Sequence, residues 1–182
     1  MRFGPVQMKD KLGRTVVMRN AEKTDAEALI RYLKITSGET PFLLREPEEV
    51  TLTIGQEERF VQGIIDAERE LMLVAAIDGE QVGNCSLMSK GPFKRYHHRC
   101  EVAIALYQTF CGAGIGEMMM REVLEAAKHL GYEQAELEVV ADNAGAIALY
   151  NKLGFETCGL LPHSMKYGNG TYADALWMVK RL

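Results

Sequence analysis

The chain has 182 residues, with 21 Lys+Arg against 25 Asp+Glu and a formal net charge of −4. At roughly 150 residues per domain this is one domain, long enough to bury its own core. Hydrophobic residues at 47% and charged residues at 25% exclude disorder; the acidic balance argues against broad nucleic-acid or anionic-membrane binding. No run of about 18 apolar residues exists to span a bilayer.

Residues 1–13, with Gly4-Pro5 and Lys9-Asp10-Lys11, read as a loose arm ahead of a single domain over 14–182. Arg14 to Arg19 (RTVVMR) reads as a strand rich in β-branched residues. Thr24 or Asp25 then caps a helix carrying Ala28, Leu29, Tyr32 and Leu33. Ser37 to Thr51 is polar and loses periodicity, which predicts a loop. Ile54 to Glu70 reads as a helix burying Phe60, Ile64 and Ala67. Leu71–Ile77, Asp78-Gly79 and Gln81–Met88 form the strongest short-range hairpin signal a sequence offers.

His98 to Leu106 is a further strand. Met120, Val123, Leu124 and Ala127 stand at helical spacing, and Gly131 is the natural stop. Ala135–Ala141 is a strand, and Asp142 or Asn143 caps a short helix ending at Gly154. Two strands, Phe155–Leu161 and Tyr172–Val179, finish the chain. The expected fold class is α/β (α+β), with a mixed, mainly antiparallel sheet and flanking helices.

The first twenty residues lack an apolar stretch of secretory length. Cys85, Cys100, Cys111 and Cys158 form no CxxC and no metal spacing with histidine, so each is expected as a reduced, small, buried apolar residue in a cytoplasmic protein, and no metal is expected. The basic run Lys94-Arg95-Tyr96-His97-His98-Arg99 reads first as a solvated loop, with contact to an acidic group as the sharper alternative.

Cys111-Gly112-Ala113-Gly114-Ile115-Gly116 follows a predicted strand and opens a predicted helix. Backbone N–H groups and the positive helix end converge there on an anion site. The dinucleotide pattern fails because Glu117 stands where its third glycine would be, and a phosphate-binding P-loop fails because no Lys-Ser/Thr follows Gly116. A ligand-free tight turn is the plainer account of such a loop alone. A second motif, Asn143-Ala-Gly-Ala-Ile-Ala-Leu-Tyr150, sets an amide and a phenol seven residues apart, roughly 10 Å along one helix face. That suits an elongated cofactor with a reactive end. A cap at Asn143 and a core tyrosine at Tyr150 is the alternative.

Together these stretches resemble the GCN5-related N-acetyltransferase (GNAT) superfamily, from Arg14 to Leu182 and most sharply from Glu101 to Phe155. The family's Arg/Gln-x-x-Gly-x-Gly/Ala loop matches here with Cys111 in the first position, which puts in question the strength of cofactor binding. Leu137 to Tyr150 is similar to the same region of ribosomal-protein N-terminal acetyltransferases. The resemblance implies two central strands splaying into a slot for acetyl-CoA. Its pantetheine would bond the backbone of Ile104, Ala105 and Leu106, its pyrophosphate would sit on the N–H groups of Gly112, Ala113, Gly114, Ile115, Gly116 and Glu117, and Asn143 would bond the pantetheine arm. Tyr150 would protonate the departing thiolate.

Acetyl transfer to an amine by direct attack needs a base, an oxyanion donor and help for the leaving thiolate. Glu138 matches the presumed base of the ribosomal-protein enzymes. Glu101 is its rival on the other strand, and edge or salt-bridge roles for both remain open. The expected activity is therefore transfer from acetyl-CoA to a small-molecule amine or a peptide N-terminus. The alternative is a catalytically silent acetyl-CoA-binding or regulatory module. The acceptor's identity and the oligomeric state stay open, with a homodimer through the final hairpin edge as one outcome.

Overall fold

The computed structural model describes residues 3–182, and among these the chain forms eight strands and four α-helices. It divides into two compact units, one holding the residues up to Met88 together with Ala103–Val123, the other Ser89–Val102 together with Leu124–Leu182.

The first unit contains β1 (Val6–Lys9), β2 (Thr15–Asn20), α1 (Ala26–Glu39), α2 (Ile54–Asp66), β3 (Leu71–Ile77) and most of β4 (Glu80–Ser89). It also holds the end of β5 (Arg99–Leu106) and most of α3 (Ile115–His129). Its strands run in the order β1-β2-β3-β4-β5, antiparallel from β1 through β4. β3 (LMLVAAI) is buried along nearly its whole length, as expected of an apolar run covered on both faces. Asp78 and Gly79 both have positive φ, 51° and 85°, the geometry a tight two-residue hairpin demands. α1 buries Ala26, Leu29, Tyr32 and Thr36, and α2 buries Val61 and Ile64 behind a Thr53–Gln56 capping box. Leu29, Val61, Ile64, Met72 and Val74 form one core cluster, each side chain contributing about 1.5–3 kcal/mol by leaving water.

The second unit contains the start of β5, β6 (Gln134–Val140), α4 (Ala144–Lys152), β7 (Glu156–Lys166) and β8 (Tyr172–Arg181), in the order β5-β6-β8-β7. β5 and β6 are parallel; the other pairs are antiparallel. The parallel ladder covers only Arg99–Glu101 against Gln134–Glu136. β6 pairs with β8 along its entire length. The mixed, mainly antiparallel sheet with flanking helices is as expected.

Several boundaries differ from the sequence reading. Met1 and Arg2, placed in the arm, lie outside the described residues. The rest of that stretch is tied down. Val6–Lys9 pairs with β2, Lys11 N–H donates to the Ala113 carbonyl at 3.0 Å, and the Asp10 carboxylate accepts from the backbone of Leu12 and Arg14. Four residues with two apolar side chains carry too weak an alternation to be read without their partner strand. Ser37–Glu39 continue α1 rather than opening the loop, and α2 stops at Asp66. Phe60 is exposed, because the buried stripe of α2 runs through Glu57, Val61 and Ile64. Cys85 and Cys100 are buried, but Cys111 and Cys158 are exposed, the first on a loop and the second on β7 at the end of the strand order. Among the described residues, no helix is long and apolar enough to cross a membrane.

Candidate active site

In the first unit, β5 delivers Ile104, Ala105 and Leu106 half-buried to the glycine loop. The Ala105 carbonyl accepts the hydroxyl of buried Tyr32 at 2.7 Å. Gly83 on β4 is what lets this end of β5 lie so close. A Cβ there would stand 3.0 Å from the Leu106 side chain and 3.2 Å from the Ala105 carbonyl oxygen.

After Leu106 the chain makes one tight turn, Gln108–Phe110, whose first N–H donates to the Glu39 carboxylate at 2.8 Å. Gly112 and Gly114 follow at φ 78° and 88°, a backbone conformation that glycine adopts without strain. Nothing lies within 4 Å of a Cβ built on Gly112, so the loop is open there. Gly114 instead faces the aliphatic stem of Lys11 at 3.4 Å. Ala113 and Ile115 are buried and anchor the turn, and Gly116 and Glu117 form the first turn of α3. The first-turn amides of a 15-residue helix, with its macrodipole behind them, fit a diphosphate. The Glu117 carboxylate is turned along the helix to Arg121, at 2.9 Å. Burial and then the Glu39 charge push the Cys111 thiol above its ordinary pKa, which favours the neutral thiol.

In the second unit three glutamates stand on two strands. Glu136 is buried and clamped by the Arg99 guanidinium on both oxygens. Burial alone would raise its pKa, but hydrogen bonds from Arg99 and Gln134 and the charges of Arg99 and Lys90 outweigh that and hold it below the ordinary carboxylate range. Glu101 is half-exposed and ion-paired to Lys90 at 2.7 Å. The Lys90 ammonium also lies 5.6 Å from the centre of the Trp177 ring. Glu138 is exposed, stands opposite Trp177 on β8, and accepts the Ser164 hydroxyl at 2.7 Å. Lys90, Arg99, Glu136 and Ser164 were not singled out as site residues from the sequence. Arg99 and Glu136 are joined by a parallel register that no local pattern announces.

Asn143 caps α4, its Oδ1 accepting from Ala146 N–H at 3.2 Å, which leaves the amide nitrogen as a separate donor. Tyr150 lies one face down the same helix, 7% exposed, its ring 5.9 Å from that of Phe155. Gly154, at φ 85°, then turns the chain into β7.

The family model of the acetyltransferase (GNAT) family matches residues 37–155. The chain is 31% identical over 169 residues to the L-amino acid N-acetyltransferase AaaT of Escherichia coli (strain K12), covering 91% of this chain and 97% of that protein. It is 28% identical over 177 residues to an N-alpha-acetyltransferase of Sulfurisphaera tokodaii, covering 91% and 95%. Among solved structures, a GNAT-family acetyltransferase from Streptococcus pneumoniae superposes with a TM-score of 0.88 at 26% identity, over 92% of this chain and 99% of that one. The ribosomal-protein-alanine N-acetyltransferase of Brucella melitensis superposes with a TM-score of 0.81, also at 26% identity, over 91% and 99%. With the glycine loop at a helix start and a near full-length match, the chain belongs to the acetyltransferase (GNAT) family and is an acetyl-CoA-dependent N-acetyltransferase.

Proposed function

We propose that this enzyme acetylates the α-amino group of an L-amino acid or of a peptide N-terminus. The observation that carries the reading is the open, positive-φ glycine turn at the start of α3, which fits the diphosphate of acetyl-CoA. The acceptor class is supported by the two relatives matched over most of their length, one acting on L-amino acids and one named for the α-amino position.

In this reading Gly112 to Glu117 hold the diphosphate through main-chain N–H groups, the backbone of Ile104 to Leu106 lines the pantetheine, and the Asn143 amide donates to it. Acetyl-CoA supplies the thioester. Glu138 takes the proton of the acceptor ammonium, directly or through one water, the amine nitrogen forms its bond to the acetyl carbon, and the carbon–sulfur bond breaks. Tyr150 gives its phenolic proton to the sulfur, and the second proton shed by the nitrogen as the amide forms restores the phenol through water, leaving amide, thiol and one proton on Glu138. Glu138 is preferred to Glu101 because it is bonded to a neutral hydroxyl, whereas Glu101 is committed to the Lys90 ammonium.

A thiol-release assay with acetyl-CoA tests this, run against a panel of free L-amino acids, dipeptides and the same compounds already N-acetylated. Release is expected with free α-amines and absent with the blocked ones. Calorimetry showing no binding of acetyl-CoA, or release with amines that carry no neighbouring carbonyl but not with amino acids or peptides, overturns it.

A further inference from the structure

The first unit contains a cleft of about 680 Å³ bounded by the β1–β2 turn, α1, the β3–β4 hairpin and the turn after β5. Its lining includes neither the glycines of the loop nor any glutamate of the second unit. Arg14 stands in it with its geometry already fixed. Its Nε donates to the wholly buried Asp10 carboxylate at 2.7 Å, and its guanidinium lies 5.1 Å from the centre of the Phe110 ring. Its Nη2 is buried and has no hydrogen-bond partner. The side-chain nitrogen of Gln81, on β4, is in the same condition. These are the two buried side-chain polar atoms without a partner among the described residues, and both side chains line this one cleft.

Buried N–H donors without acceptors are costly, and native proteins rarely keep them without a reason. Two on side chains that line one cleft, both closed to solvent in this state, call for an oxygen acceptor that draws them toward it. Arg31, on α1, adds a second guanidinium to the same lining, which it shares with Tyr107. The rim has the opposite sign: Asp78 and Glu80 flank the hairpin turn and are exposed. A bare anion would meet those two carboxylates, and a bare cation would meet the two guanidiniums. A molecule carrying both charges meets neither penalty.

We propose that this cleft binds a small zwitterion, its carboxylate taken by Arg14, Gln81 and Arg31 and its cationic end by Asp78 and Glu80. Arginine's planar fork suits a carboxylate, and the buried Asp10 holds one edge of that fork in place. Because this lining excludes the residues assigned to acetyl transfer, the bound molecule acts as an effector or a stabiliser. The proposal stands independently of the acceptor reading.

Calorimetric titration of the full chain with glycine betaine tests it, since that zwitterion has no N–H to acetylate. Acetate, tetramethylammonium and inorganic phosphate serve as single-charge probes. Betaine is expected to saturate with Kd about 1 mM, a fair strength for so few atoms, and each single-charge probe to bind at least about tenfold more weakly. Gln81→Leu and Arg31→Met should each weaken betaine by about tenfold or more while acetyl-CoA binds as before. Arg14→Gln would strand the buried Asp10, so the test uses the other two variants, with thermal unfolding checking that each folds. No saturable heat with betaine, tighter binding of phosphate than of betaine, or wild-type affinity in both variants overturns the proposal.

Discussion

Glu136, Glu101 and Glu138 carry one functional group into three settings, and the settings separate their chemistry. A carboxylate held by a guanidinium in a buried site resists protonation and cannot relay a proton near neutrality. One bound to an ammonium must break that pair before it can act. Glu138, exposed and bonded to a hydroxyl, has neither restraint. Replacing Glu138 by Gln is therefore expected to lower kcat/KM at pH 7 by about 10²–10⁴-fold, the usual worth of general base help, and to flatten the acidic limb of the pH profile. Glu101→Gln should cost less than about tenfold. The reverse ranking would move the base to Glu101. Tyr150 invites a parallel measurement. Tyr150→Phe removes one oxygen from a buried ring and keeps its packing against Phe155. A fall in kcat of about 100-fold with unchanged acetyl-CoA affinity is expected, and unchanged turnover would leave Tyr150 a packing residue.

At the scale of elements, what local chemistry dictates was legible, and what a partner dictates was not. Asp78-Gly79 could only be a tight turn, and Met120, Val123, Leu124 and Ala127 could only be one helix face; all four are buried. The Asn143 cap and the glycine turn at the start of α3 carry their own signals, and both stand where expected. β1 is a strand because β2 offers it an edge, and Lys90 reaches Glu101 only through the arrangement of the second unit. Gly83 belongs to the same class. In sequence it is an isolated glycine inside a strand; in the structure its missing side chain leaves room for Leu106 and the Ala105 carbonyl. A branched side chain there must displace the strand proposed to line the pantetheine. Gly83→Val should destabilise the protein by about 1–3 kcal/mol in denaturant titration and raise the KM for acetyl-CoA. Wild-type values for both would show that β4 and β5 yield freely at this point.

Across the molecule, ionisation and folding are coupled in opposite senses at different sites. Burial works against the charge on Asp10, Asp25 and Glu136, yet hydrogen bonds and the charges of Arg14, Arg19 and Arg99 leave all three carboxyls below their ordinary pKa. The unfolded chain then binds protons at about pH 4, where the folded chain does not yet. Stability from these groups is fully present above about pH 5 and is lost as pH falls through the lower folded values. Glu57 is the contrary case. It is buried in α2, and burial raises its pKa against the weaker pull of Arg45. The folded chain holds this proton longer than the unfolded one, so Glu57 costs stability as pH rises from about 4 through its raised folded pKa. Two variants separate the opposing contributions. Glu136→Gln should lower the melting temperature at pH 7 and make it less dependent on pH between about 2 and 5, because the ionised clamp is gone. Glu57→Gln should match the wild type near pH 4, where the folded carboxyl is neutral, and melt above it by a margin that widens as pH rises through the raised folded pKa and is level beyond it. A Glu57→Gln margin that is constant with pH would mean that the carboxyl titrates alike in the folded and unfolded chain, with Arg45 balancing its burial.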